Sequence, residues 1–127
     1  YVAENGSSYL CWMNGEGEVR MGVFTSEGVF SDLMIDSVDT SYGVIGCSVV
    51  VDASYRPLAI YGDGANLKMA RFAFQGQVYS SDAWLKRTII EDLFPESMTL
   101  RLTQGGNEFA VVRTATGELW QVNNSGL

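Results

Sequence analysis

The chain has 127 residues, 46% of them hydrophobic and 12% aromatic, with a mean hydropathy of +0.05. That is one domain's worth of chain with enough apolar material to bury a core. Eight Lys and Arg against fifteen Asp and Glu leave a net charge of −7 and a pI near 4.3, which argues against nucleic acid or an anionic membrane surface as partner. There is no histidine, so zinc sites and His-based catalysis lack material, and no metal or cofactor is implied. The longest mostly apolar run, residues 44–51, is broken by Ser48 and too short to cross a membrane as a helix.

Taken in order, residues 1–3, 9–13, 18–24 and 29–35 read as four short strands, with Asn14-Gly15-Glu16-Gly17 as the sharpest turn between them. A connector of small and polar residues, 36–46, follows and reads as an ordered surface loop. Val49-Val50-Val51 begins a second set: 49–52, 57–61, 66–74 and 83–91. Pro57 opens its strand, where a missing N–H does least harm, and Gly62–Asn66 forms a hairpin turn rich in residues that tolerate positive φ. Residues 83–93 also fit a helix, since Leu85, Ile89 and Leu93 fall at i, i+4 and i+8. The β-branched run Thr88-Ile89-Ile90 and the repeat described next favour a strand. Three more strands, 98–102, 108–113 and 118–122, precede a polar tail.

The sets repeat. An offset of 48 places Val2 on Val50, Leu10 on Leu58, Cys11 on Ala59, Val19 on Leu67, Met21 on Met69 and Phe24 on Phe72. Offsets of 51 and 52 place Leu102 on Val51, Phe109 to Val112 on Leu58 to Tyr61, and Leu119 on Leu67. A period near fifty residues with four strands per period is the signature of a propeller array. The expected fold is all-β, built of propeller-type blades of four antiparallel strands. Blade one is 1–46, blade two 47–96, and blade three, incomplete, 97–127. A closed propeller needs about four to eight blades, so further blades are expected from the same longer chain or from identical subunits. The chain opens on Tyr1, which reads as a segment of something longer.

SVVVDASYRPLAIYGDGANLKMARF followed by AWLKRTIIED resembles a blade of the sialidase-like β-propeller families. Those blades run strand, turn, strand ending in an aromatic, Gly/Asn/Asp turn, a third strand, and a fourth that begins at Trp. The resemblance implies the fold across most of the chain, on which enzymes, lectins and scaffolds all occur. It does not extend to the Asp-box, Ser-x-Asp-x-Gly-x-x-Trp: Ser37-Val38-Asp39 starts one and lacks the Gly and Trp. No catalytic residue is assigned. The function expected is a non-catalytic binding or structural module, with a glycan as the candidate partner, in an extracellular or viral appendage. The alternative is part of a sialidase-like glycoside hydrolase whose catalytic residues lie mostly outside this segment.

The candidate ligand site is the rim where hairpin turns and blade connectors meet, carrying Asp39, Tyr42, Asp63, Asn66 and Arg113. Trp12, Trp84 and Trp120 read as inter-blade packing, and the five methionines as core filler. Because Cys11 falls on Ala59, a packed position, it is expected to be buried and reduced, with no bridge to Cys47.

Overall fold

The structure, a computed structural model, describes residues 1–41, 46–73 and 81–123. It is all-β, in three antiparallel sheets of propeller-blade type. Blade one holds β1 (Ser8–Met13), β2 (Glu18–Phe24) and β3 (Phe30–Ser37). Its innermost strand is reduced to a single bridge between Val2 and Ser8. Blade two is complete, with β4 (Cys47–Val51), β5 (Pro57–Asp63), β6 (Asn66–Phe72) and β7 (Trp84–Ile90) in sequential order. Blade three holds β8 (Pro95–Leu102), β9 (Glu108–Thr114) and β10 (Leu119–Asn123). β7 is the strand that the β-branched run predicts rather than a helix, and pairs with β6 from Phe72↔Trp84 to Leu67↔Ile90.

Alternation along the blades divides the apolar side chains between two cores. One lies between blades one and two, where Tyr9, Val19, Met21 and Ile35 meet Val49, Val51, Ala59, Tyr61, Ala70, Phe72 and Trp84. The other lies between blades two and three, where Val50, Leu58, Ile60, Leu67 and Met69 meet Leu100, Ala110, Val112 and Val122. Leu58, Ile60, Leu67 and Leu100 are completely buried, each contributing about 1.5–3 kcal/mol through removal from water. Trp84 packs as expected, edge-on to Phe72 with ring centroids 5.4 Å apart.

The repeat holds between blades two and three as read from the sequence. Val49, Val51 and Ala59 are answered by Leu100, Leu102 and Ala110, on the corresponding face. Between blades one and two it needs a correction. Met21 pairs with Cys11, whereas Met69 pairs with Ile60. The third strands keep the 48-residue offset, but their partners are 49 apart, because the β1–β2 hairpin is one residue longer than the β5–β6 hairpin. A slip of one residue turns a whole strand over. Cys11 therefore corresponds to Ile60, Leu10 to Ala59 and Val2 to Val51.

That slip also corrects the cysteines. Cys11 is not a reduced, buried thiol; it is half-buried, faces blade two, and forms a disulfide with Cys47 on the inner strand β4. The two Cα atoms are 5.8 Å apart, the ordinary spacing for such a bridge. The approach of strands it needs is the packing of β1 on β4 itself.

Candidate functional site

Two inter-blade junctions lie on one rim, and their backbones repeat. At the first, Val38 N–H donates to the Gly17 carbonyl and Gly64 N–H donates to the Asp39 carbonyl, at 2.8 and 3.0 Å. At the second, Leu93 N–H donates to the Ala65 carbonyl and Ala115 N–H to the Phe94 carbonyl, again at 2.8 and 3.0 Å. In each case the connector leaving an outer strand is pinned first to its own hairpin turn and then to the turn of the next blade. Gly64 has φ +57°, and a Cβ there would sit 3.0 Å from the Asp39 carboxylate. The turn thus requires the residue without a side chain.

The first junction is filled by ionic side chains. Asp63 Oδ1 accepts from Asp39 N–H at 2.8 Å, and Asp63 Oδ2 accepts from Lys68 Nζ at 3.2 Å. Lys68 also reaches Asp36 Oδ2 at 3.2 Å, Lys86 reaches Asp36 Oδ1 at 3.4 Å, and the Tyr61 hydroxyl donates to Asp36 Oδ2 at 2.8 Å. The half-buried carboxylates Asp36 and Asp63 are matched by the ammonium groups of Lys68 and Lys86, while the Asp39 carboxylate is exposed. Burial works against ionisation of Asp36, but the hydrogen bonds from Tyr61 and Lys68 and the charges of Lys68 and Lys86 prevail and hold it below the usual range. Asp39 is held low by its side-chain and backbone bonds from Ser41. Burial first, then the Asp36 charge and hydrogen bond, push the Tyr61 phenol far up. Burial lowers Lys68, but its bonds and charge contacts with Asp63 and Asp36 outweigh that and raise it.

At the second junction the corresponding space is a cleft of about 350 Å³. It is lined by Asp92, Phe94, Thr114, Thr116, Glu118 and Trp120, together with the buried Leu93 and the exposed Ala115. Trp120 stands where blade two has Lys68, since Trp120 pairs with Val112 as Lys68 pairs with Tyr61. Phe94 stands where blade one's connector has Asp39. An ionic plug has been exchanged for two aromatic rings, each about 40% exposed. Thr114 fixes the turn, accepting from Glu118 N–H at 3.1 Å and contacting the Thr116 hydroxyl at 3.0 Å. An aromatic plate beside carboxylate and hydroxyl groups can stack an apolar ring face while taking its hydroxyls in hydrogen bonds.

Of the residues expected at the site, Asp39 and Asp63 are brought together, but as members of the ionic junction. Asn66 pairs with Asp63 across the hairpin. Arg113 points to the face of blade three away from blade two, 3.4 Å from Glu96. Tyr42 lies outside the described residues. The cleft residues Phe94, Glu118 and Trp120 were not singled out as ligand-binding. Their signal in the sequence is a break in the repeat, because the position that carries Arg20 and Lys68 in the first two blades carries Trp120 in the third. Among the described residues no group of three or more Cys, Asp or Glu converges as a metal site, and no helix is long and apolar enough to cross a membrane.

No model of a known protein family matches the chain, and no curated protein does. Several solved structures are similar in fold. Among them is a fucose lectin from Kordia zhangzhouensis, determined in complex with methyl-fucoside, with a TM-score of 0.56 at 11% identity. The alignment covers 97% of this chain and 88% of the lectin's. The likeness spans all three blades and concerns the fold.

Proposed function

We propose that this chain is a non-catalytic carbohydrate-binding module and that the Trp120–Phe94 cleft is its sugar site. The observation that carries the reading is the exchange at equivalent junctions, where an ion-paired plug gives way to exposed aromatics flanked by Glu118, Asp92 and Thr116. A half-buried salt cluster holds blades together; an open aromatic cleft of this size suits a pyranose. A lectin with the same fold supports the substrate class. The kinship with sialidase-like propellers, read from the blade pattern, is part of this proposal and concerns scaffold.

A glycoside hydrolase needs a carboxyl kept protonated as general acid beside a second carboxylate. Asp36 is instead taken up by Tyr61, Lys68 and Lys86, and Asp63 by Lys68 and the Asp39 N–H, which commits both to the junction. The disulfide supports an oxidising, extracellular setting. The test is calorimetry against a panel of methyl glycosides, methyl-fucoside included, on the native chain and on Trp120→Ala. Binding lost in the variant supports the cleft, and binding retained removes it. Release of reducing sugar from glycoside substrates would establish the hydrolase alternative instead.

A further inference from the structure

Blade one has a face that nothing covers among the described residues. Val2, Leu10, Phe24 and Phe30 are exposed on it, and Trp12 is half-buried. The Phe24 and Phe30 rings stack at 4.6 Å. A Cβ on Gly22 would come within 2.7 Å of the Phe30 ring and 3.1 Å of the Trp12 ring, so both aromatics lie across that glycine. In the corrected register these residues are the counterparts of Val51, Ala59, Phe72, Trp84, Tyr61 and Ala70. In blade two that set forms the face buried against blade one. Blade one therefore repeats, residue by residue, a surface whose role within this chain is to receive a preceding blade.

Blade three has the complementary free face. Phe109, Val111 and Leu119 point away from blade two, and Leu119 is 72% exposed. They are the counterparts of Leu58, Ile60 and Leu67, which in blade two are completely buried against blade three. Thus blades one and three carry the two halves of one interface, each half already used once internally.

We propose that blade three of one copy covers blade one of a second copy, and the reverse, so that two chains close a six-bladed ring. A head-to-tail contact that closes in this way is the standard route from a heterologous interface to a finite oligomer, and six blades lie within the range of closed propellers. Polar groups permit it. The ion pair between blades two and three, Arg71 with Glu108 at 2.6 Å, has Asn123 and Ser8 as its counterparts, a neutral pair that strands no charge. The remaining charges are opposite in sign: Glu18, Arg20 and Asp32 on blade one sum to −1, while Glu96, Arg101 and Arg113 on blade three sum to +1. This interface is independent of the sugar site.

The test is sedimentation equilibrium of the intact chain at micromolar concentration. The native chain is expected at twice 13.9 kDa, and Leu10→Glu and Leu119→Glu are each expected at the monomer mass. Both positions are exposed in the single chain, and an unchanged far-UV spectrum confirms that the blades still fold; Val111→Glu provides a second variant on blade three. Mixing Leu10→Glu with Leu119→Glu restores a dimer, because one of its two interfaces is then native on both sides. A native chain that stays monomeric overturns the proposal and leaves these faces to blades from elsewhere. A dimer that neither substitution dissociates, or a mixture that does not recover, overturns the blade-three-on-blade-one arrangement.

Discussion

Cys11, on the second strand of blade one, is disulfide-bonded to Cys47, on the inner strand of blade two, across 36 positions of sequence. The bridge ties together two sheets that share no backbone ladder. Closing a loop of that length removes about 4 kcal/mol of chain entropy from the unfolded state on the loop-closure model. Reduction, or the double substitution Cys11→Ser/Cys47→Ser, is expected to lower Tm by roughly 10–20 °C. Calorimetry with and without reductant measures this, and a Tm indifferent to reductant would argue against the bridge.

Trp120 and Phe94 make the cleft aromatic. Replacing either by Ala is expected to weaken glycoside binding about tenfold or more, as loss of a stacking contact worth about 1.5 kcal/mol. Both rings are partly in solvent, so Tm should move by only a few degrees. Titration calorimetry and a thermal melt on the same samples separate the two effects.

Asp63 belongs to the ionic junction, accepting from Asp39 N–H and from Lys68. Asp63→Ala is expected to cost about 1.5–3 kcal/mol, the range for a hydrogen bond to a charged group, while leaving glycoside affinity unchanged. Urea unfolding at neutral pH provides the number. Full stability with impaired binding would instead make Asp63 a ligand-contacting residue.

The same junction sets the pH limits. Asp36 is depressed in the folded state, so its contribution is present above the unfolded value of about 3.9 and is lost as pH falls through the folded value. Lys68 and Tyr61 are raised; their contributions are present below about pH 10 and are lost as pH rises beyond it. Stability is therefore expected to fall off at both ends, and Asp36→Asn should flatten the acid limb. Urea midpoints measured across the pH range test this; an acid limb unchanged in Asp36→Asn would place the acid-sensitive group elsewhere.

The strands and their repetition were legible because they depend on local pattern. Alternation such as Leu67, Met69, Arg71 against Lys68, Ala70, Phe72 reports the extended backbone and its two faces whatever the covering elements are. The preference for a strand at Thr88-Ile89-Ile90 held for the same reason, as those residues crowd a helix and suit an outer strand. The rim location of Asp39 and Asp63 was readable from turn composition, though whether they bind a ligand or each other's blades was not.

Three features were decided only by the tertiary structure. One extra residue in the β1–β2 hairpin turned β1 over, and sequence similarity tolerates such an insertion while a pleated strand does not. The choice between thiol and disulfide at Cys11 followed from that turn, because it settled which blade the sulfur faces. The cleft depends on Phe94, in the connector after blade two, and Trp120, on the last strand of blade three, which meet only because the Ala115 N–H fastens one blade's turn to the previous blade's connector. Composition and periodicity act within a strand; the meeting of two blades depends on where each connector is pinned, and that is a property of the packed chain.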